Sequence, residues 1–152
     1  MRLTDVQLRR GDVADARAVT AVHLASRRAA PMPAGVHPDD EVHRWLADRL
    51  AQDEVWVAEL DGEVVGYVRL TPTWLDDLYV LPSHARQGIG SMLLELAQAL
   101  RPDGFSLWVF ETNTPARAFY AHHGLVEREH TDGSDNEEKS PDLRMSWGDG
   151  GS

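Results

Sequence analysis

With 152 residues, 42% apolar and 26% charged, the chain has the size and composition of one globular domain able to bury a core. No window approaches the eighteen or so apolar residues of a membrane helix, and the absence of cysteine excludes disulfides, thiolate nucleophiles and thiolate-bound zinc. A formal net charge of −10 argues against nucleic acid and suits a cationic substrate; with no apolar signal core at the N-terminus, a cytoplasmic location is expected.

Residues 3–9 alternate as a first strand. Asp12 then opens a helix as its N-cap, with Asp15 three residues on as box partner. Pro31, Pro33 and Gly35 interrupt the chain before a second helix carrying Val42, Trp45, Leu46 and Leu50 at helical spacing. Val55-Trp56-Val57-Ala58-Glu59 reads as a strand, Asp61-Gly62 as a hairpin turn, and 64–70 as the partner strand. A fourth strand runs over 75–81 to Pro82, followed by a helix over 88–100 and a fifth strand over 105–110. Thr114-Pro115 predicts a sharp helix start, with Thr114 as cap, and Gly124 its end. Two closing strands, 125–131 and 143–147, flank a loop so acidic that residues 127–142 hold seven acids against Arg128 and Lys139. The reading is one domain over 1–148, a mixed α/β sheet with helices on both faces, and a frayed tail over 149–152.

The chemistry concentrates in Leu78-Tyr79-Val80-Leu81-Pro82 and the following Arg86-Gln87-Gly88-Ile89-Gly90-Ser91. A strand, a glycine turn and a helix start leave several backbone N–H groups aimed together at the positive end of a helix dipole. That is a cradle for phosphate or pyrophosphate. Ser91-Met92 stands where a Walker A loop needs lysine and serine or threonine, and the turn comes too late in the chain for a dinucleotide fingerprint.

In this run, and in Asn113-Thr114-Pro115-Ala116-Arg117-Ala118-Phe119-Tyr120, the chain resembles the GCN5-related N-acetyltransferases (GNAT), including single-domain bacterial members. The resemblance extends over essentially the whole chain. It implies a central mixed sheet of six or seven strands, splayed between the fourth and fifth, with about four helices. It also implies transfer of the acetyl group of acetyl-CoA to a primary amine within a ternary complex. A small-molecule amine is the first expectation. A protein or peptide amine, or a sensor that binds acetyl-CoA without turnover, is the alternative, and a homodimer is compatible.

The resemblance assigns Leu78, Tyr79 and Val80 to pairing with the pantetheine arm of coenzyme A. Backbone groups of Arg86, Gln87, Gly88, Ile89, Gly90 and Ser91 fall to the pyrophosphate. Ala85 stands where the family's turn carries glutamine or arginine; Arg86 either compensates or faces solvent. Asn113 either touches the cofactor arm or caps the next helix. Tyr120 is placed near the cofactor sulfur, where a phenol can donate a proton to the leaving thiolate. For the base that frees the amine, the acids of the fourth strand, Asp76 and Asp77, compete with Glu111, Glu137 and Glu138. Adjacent strand residues face opposite ways, and Asp77 is preferred, then Glu111. Met32, Trp45, Trp74, Glu137 and Glu138 are candidate acceptor contacts, and the scattered histidines predict no metal site.

Overall fold

The computed structural model describes residues 2–149, so the tail expected to fray lies outside the described residues except for Asp149. A 3-10 turn over Leu3–Asp5 precedes β1 (Val6–Arg10), which therefore starts three residues later than the alternation suggests. The Asp12 side chain accepts the Ala14 N–H at 2.8 Å, and Asp15 accepts the Asp12 N–H at 3.0 Å. This reciprocal box opens a 3-10 turn that runs into α1 (Ala16–Ala29). Helix α2 (Asp39–Gln52) begins with Asp39, Asp40 and Glu41 at its positive end.

Strands β2 (Glu54–Leu60) and β3 (Glu63–Leu70) are joined by Asp61-Gly62, both at positive φ (52° and 80°), as a two-residue hairpin requires. Then follow β4 (Leu75–Val80), α3 (Ile89–Leu100), β5 (Phe105–Phe110), α4 (Thr114–His122), β6 (Val126–Thr131) and β7 (Asp142–Trp147). Asn113, not Thr114, caps α4: its side chain accepts the Ala116 N–H, which moves Thr114 and Pro115 into the first turn.

The sheet has two parts, β1-β2-β3-β4 and β5-β7-β6. Helices α1 and α2 cover one face around Val19, Val22, Leu46, Val57 and Tyr67; α3 packs on the other around Leu93, Leu94, Phe105, Leu107 and Met145. Strand β3 lies between them, and every residue from Val64 to Leu70 is buried. Strands β4 and β5 run parallel and, among the described residues, are bridged where they begin, at the Trp74–Ser106 bridge and the Ser106 N–H to Thr73 C=O bond of 3.0 Å. Beyond that point they diverge, and the split opens toward Val80 and Phe110. Among the described residues no helix is long and apolar enough to cross a membrane.

Candidate active site

The split strands leave β4 with one paired and one open edge. Tyr79 faces Tyr67 across the antiparallel pair, and the Leu81 N–H reaches the Val65 C=O at 2.8 Å. Hydrogen-bonded pairs alternate in such a ladder, so the main-chain groups of Leu78 and Val80 point away from β3 into the gap. The Val80 C=O is taken by Ser26 Oγ of α1 at 2.7 Å. The Leu78 N–H, Leu78 C=O and Val80 N–H remain along the edge. A cavity of about 1200 Å³ fills the split, larger than the roughly 300–1,000 Å³ of ordinary small-molecule pockets.

One end of the cavity is bounded by Ala85, Arg86, Gly88, Gly90 and Ser91. Gly88 sits at φ 91°, a left-handed conformation that a side chain disfavours, and it is the N-cap of α3. A Cβ on Gly90 would stand 3.5 Å from Phe119 Cζ, narrowing the cradle between the turn and α4. The first N–H groups of α3 have no intrahelical acceptor, and Ser91 Oγ, beside them, is 3.0 Å from His123 Nε2. Arg86 lines this end at φ 62°. Ile89 turns into the core and Gln87 is exposed outside the cavity, so only their backbone belongs to the turn.

Tyr120 lines the middle of the cavity and is only 9% exposed. Burial holds its phenol above the ordinary value, and its Oη has no hydrogen-bond partner among the described residues. Asn113 lines the same wall while capping α4, so the two roles open to it are compatible.

Asp77 and Tyr79 project toward α1 and α2. Asp77 Oδ2 accepts from Arg69 Nε at 2.8 Å and from Tyr67 Oη at 3.1 Å. Asp76, at the point where the β3–β4 register shifts, accepts from Thr71 Oγ1. Both border the cavity, as do Met32, Glu137 and Glu138. Trp45 does not. It covers the Arg69 guanidinium at 4.9 Å behind the sheet. Trp74 is also outside the cavity wall and stacks on Trp108, which does line it, with ring centroids 6.1 Å apart. Glu111 is exposed outside the cavity, its N–H tied to Pro141 C=O.

Arg27, a cavity residue that carried no local sequence signal, donates from α1 to Tyr79 Oη at 3.3 Å and pairs with Glu138 at 3.2 Å; outside the cavity wall, Thr112 Oγ1 donates to Pro31 C=O at 3.0 Å. These bonds tie the α1 side of the split to the β5 and β6–β7 side. The acidic segment noted in the sequence adds Glu129, Asp132, Asp135 and Asp142 to the wall.

Residues 20–125 match the model of the Acetyltransferase (GNAT) family. The chain belongs to this family. The acetyltransferase is 34% identical, over 149 residues, to an uncharacterized N-acetyltransferase of Archaeoglobus fulgidus, covering 87% of this chain and 100% of that one. It is 40% identical over 86 residues to the peptidyl-lysine N-acetyltransferase YjaB of Salmonella typhimurium, a match spanning 56% of this chain and 59% of that relative. Its fold matches the PaiA N-acetyltransferase of Thermoplasma acidophilum, solved with coenzyme A, at a TM-score of 0.69 and 20% identity, over 93% of this chain and 97% of that one. The split sheet is thus the expected acetyltransferase fold.

Proposed function

We propose that this acetyltransferase uses acetyl-CoA and delivers the acetyl group to a lysine side chain of a peptide or protein, in place of the small-molecule amine expected first from the sequence. The observation that carries the reading is that one cavity joins the open β4 edge to a wall of carboxylates from Asp77, Glu129, Asp132 and Glu137. The likeness to a peptidyl-lysine N-acetyltransferase supports the choice of lysine.

The residues present fit the cofactor. The unpaired groups of Leu78 and Val80 match an arm bearing amides, and the start of α3, with Gly88 in its left-handed conformation, matches a pyrophosphate. A relative of the same fold was solved with coenzyme A. When bound, acetyl-CoA supplies the acyl group as a thioester. The chain's own part is to hold and orient. The Val80 N–H offers a donor to a carbonyl oxygen at the open edge, where a preorganised donor is worth most. Tyr120 Oη stays protonated and holds a proton for the leaving group. Asp77 binds the acceptor ammonium and receives its proton.

The test follows thiol release from acetyl-CoA with lysine-containing peptides beside polyamines, aminoglycosides and free amino acids. Turnover selective for peptides is expected. Turnover confined to small amines would return the small-molecule reading, and tight binding of acetyl-CoA without turnover would favour the sensor.

A further inference from the structure

Behind Asp77, on the face of the sheet covered by α1 and α2, lies a chain of polar groups that burial should discourage. Tyr67 is fully buried, and His23, Arg69 and Asp77 are each 8% exposed. Arg69 joins two carboxylates, Asp77 through Nε and Asp53 through Nη1, both at 2.8 Å. Asp77 thus already has a cationic partner. Yet Tyr67 Oη adds a second bond to the same oxygen, Oδ2, and His23 Nδ1 lies 2.8 Å from Tyr67 Oη.

The hydroxyl has one proton to give. Asp77 as a carboxylate can only accept, so the Tyr67 proton goes to Oδ2. His23 Nδ1 must then donate to Tyr67 Oη, which fixes the neutral imidazole with its proton on Nδ1 and its lone pair on Nε2. Both bonds fall on Oδ2; Oδ1 has no hydrogen-bond partner among the described residues, and Asp77 borders the cavity. We propose that Tyr67 and His23 are positioning residues for Asp77, holding Oδ2 from behind the sheet so that Oδ1 is presented to the acceptor amine. This rests on the reading of Asp77 as the group that meets the acceptor.

The charged and titratable groups around His23 are Arg27 on α1, Tyr67 and Arg69 on β3, and Asp77 and Tyr79 on β4, with Trp45 of α2 edge-on to its ring. Burial keeps the imidazole neutral, as the donor chain requires. Trp45 also lies over Arg69, so one α2 side chain packs on both His23 and Arg69.

Two measurements test the proposal. In the protein without substrate, ¹⁵N shifts of the His23 ring are expected to show Nδ1 protonated and Nε2 bare at pH 7.5; the opposite tautomer would overturn it. In turnover, Tyr67→Phe and His23→Leu are expected to lower kcat/KM for the acceptor about tenfold while the KM for acetyl-CoA stays unchanged, the first because Asp77 Oδ2 loses its second donor and the second because the Tyr67 hydroxyl loses the group that orients it. His23→Asn, whose amide N–H can stand in for Nδ1–H, is expected to recover most of the loss. Folded variants with an unchanged kcat/KM in an active background would overturn the positioning role. A wild type inactive on every amine would instead overturn the acceptor reading beneath it.

Discussion

Removing one oxygen atom would separate the proposed proton-donor role of Tyr120 from its part in folding. The ring packs against Phe119 with centroids 5.4 Å apart and belongs to the main core, whereas Oη has no protein partner among the described residues. Tyr120→Phe therefore leaves no buried acceptor unsatisfied, and its stability effect should stay within about 1 kcal/mol. The chemical effect is larger. A positioned proton donor contributes roughly 10²–10⁴-fold, so a fall in kcat of about 10², or about 2.7 kcal/mol in the barrier, is expected. Because burial raises the phenol above its usual value near 10, wild-type kcat should show no alkaline decline from this group below that pH. The assay is thiol release at saturating acetyl-CoA, with urea unfolding of both proteins alongside. A variant of wild-type stability and undiminished kcat would refute the assignment.

Gly88→Ala places a Cβ 3.0 Å from Leu3 Cδ1 at a φ of 91° and should cost about 1–2 kcal/mol in urea unfolding, with weaker retention of coenzyme A in equilibrium dialysis. Arg69→Met strands Asp77 without a cation, while Asp53 keeps Arg49 at 3.6 Å; a loss of about 3–5 kcal/mol at pH 7 is expected, and a loss below 1 would show that Arg69 is not the clamp described. The His23 pKa is lowered by burial, so as pH falls below about 6.5 the unfolded chain takes up a proton that the native ring refuses. Stability should therefore decline between pH 7.5 and 5.5 more steeply in the wild type than in His23→Asn; parallel declines in the two proteins would contradict this.

Local chemistry made much of the fold legible before any coordinates. The Asp12–Asp15 box, the Asp61-Gly62 hairpin and the glycines at 88 and 124 each act within four residues, and each stands where its chemistry demands. The cap of α4 shifted by one because Asn113 and Thr114 are both competent and only the loop's path chooses between them. The first strand began late because Leu3 and Thr4 close a 3-10 turn before pairing starts opposite Leu60. Cavity residues divide along the same line. The strand and turn of 78–91 are contiguous and readable, while Ser26 and Arg27 reach β4 and the acidic loop across 54 and 111 residues of sequence. Trp45, which the resemblance offered as an acceptor contact, instead lies over Arg69, a neighbour that no local pattern indicates.

The fourth strand shows why two adjacent aspartates had to be distinguished by structure. The ladder slips at Asp76, where Arg69 faces Asp77 and the next residue, Leu70, faces Leu75, so alternation alone does not assign the two acids their faces. That depends on what the faces carry. On one side β3 offers Tyr67 and Arg69, a hydroxyl and a guanidinium that hold a buried carboxylate; on the other stand Leu78, Val80 and the apolar wall of α3. Shifting β4 by one residue would set Leu78 against Arg69 and turn Asp77 away from it. It would also turn the paired groups of Tyr79 into the gap and those of Leu78 and Val80 toward β3. The register that satisfies Asp77 is therefore the same one that leaves the Leu78 and Val80 edge open. Carboxylate and cofactor edge are positioned by a single choice, made where Arg69 meets Asp77.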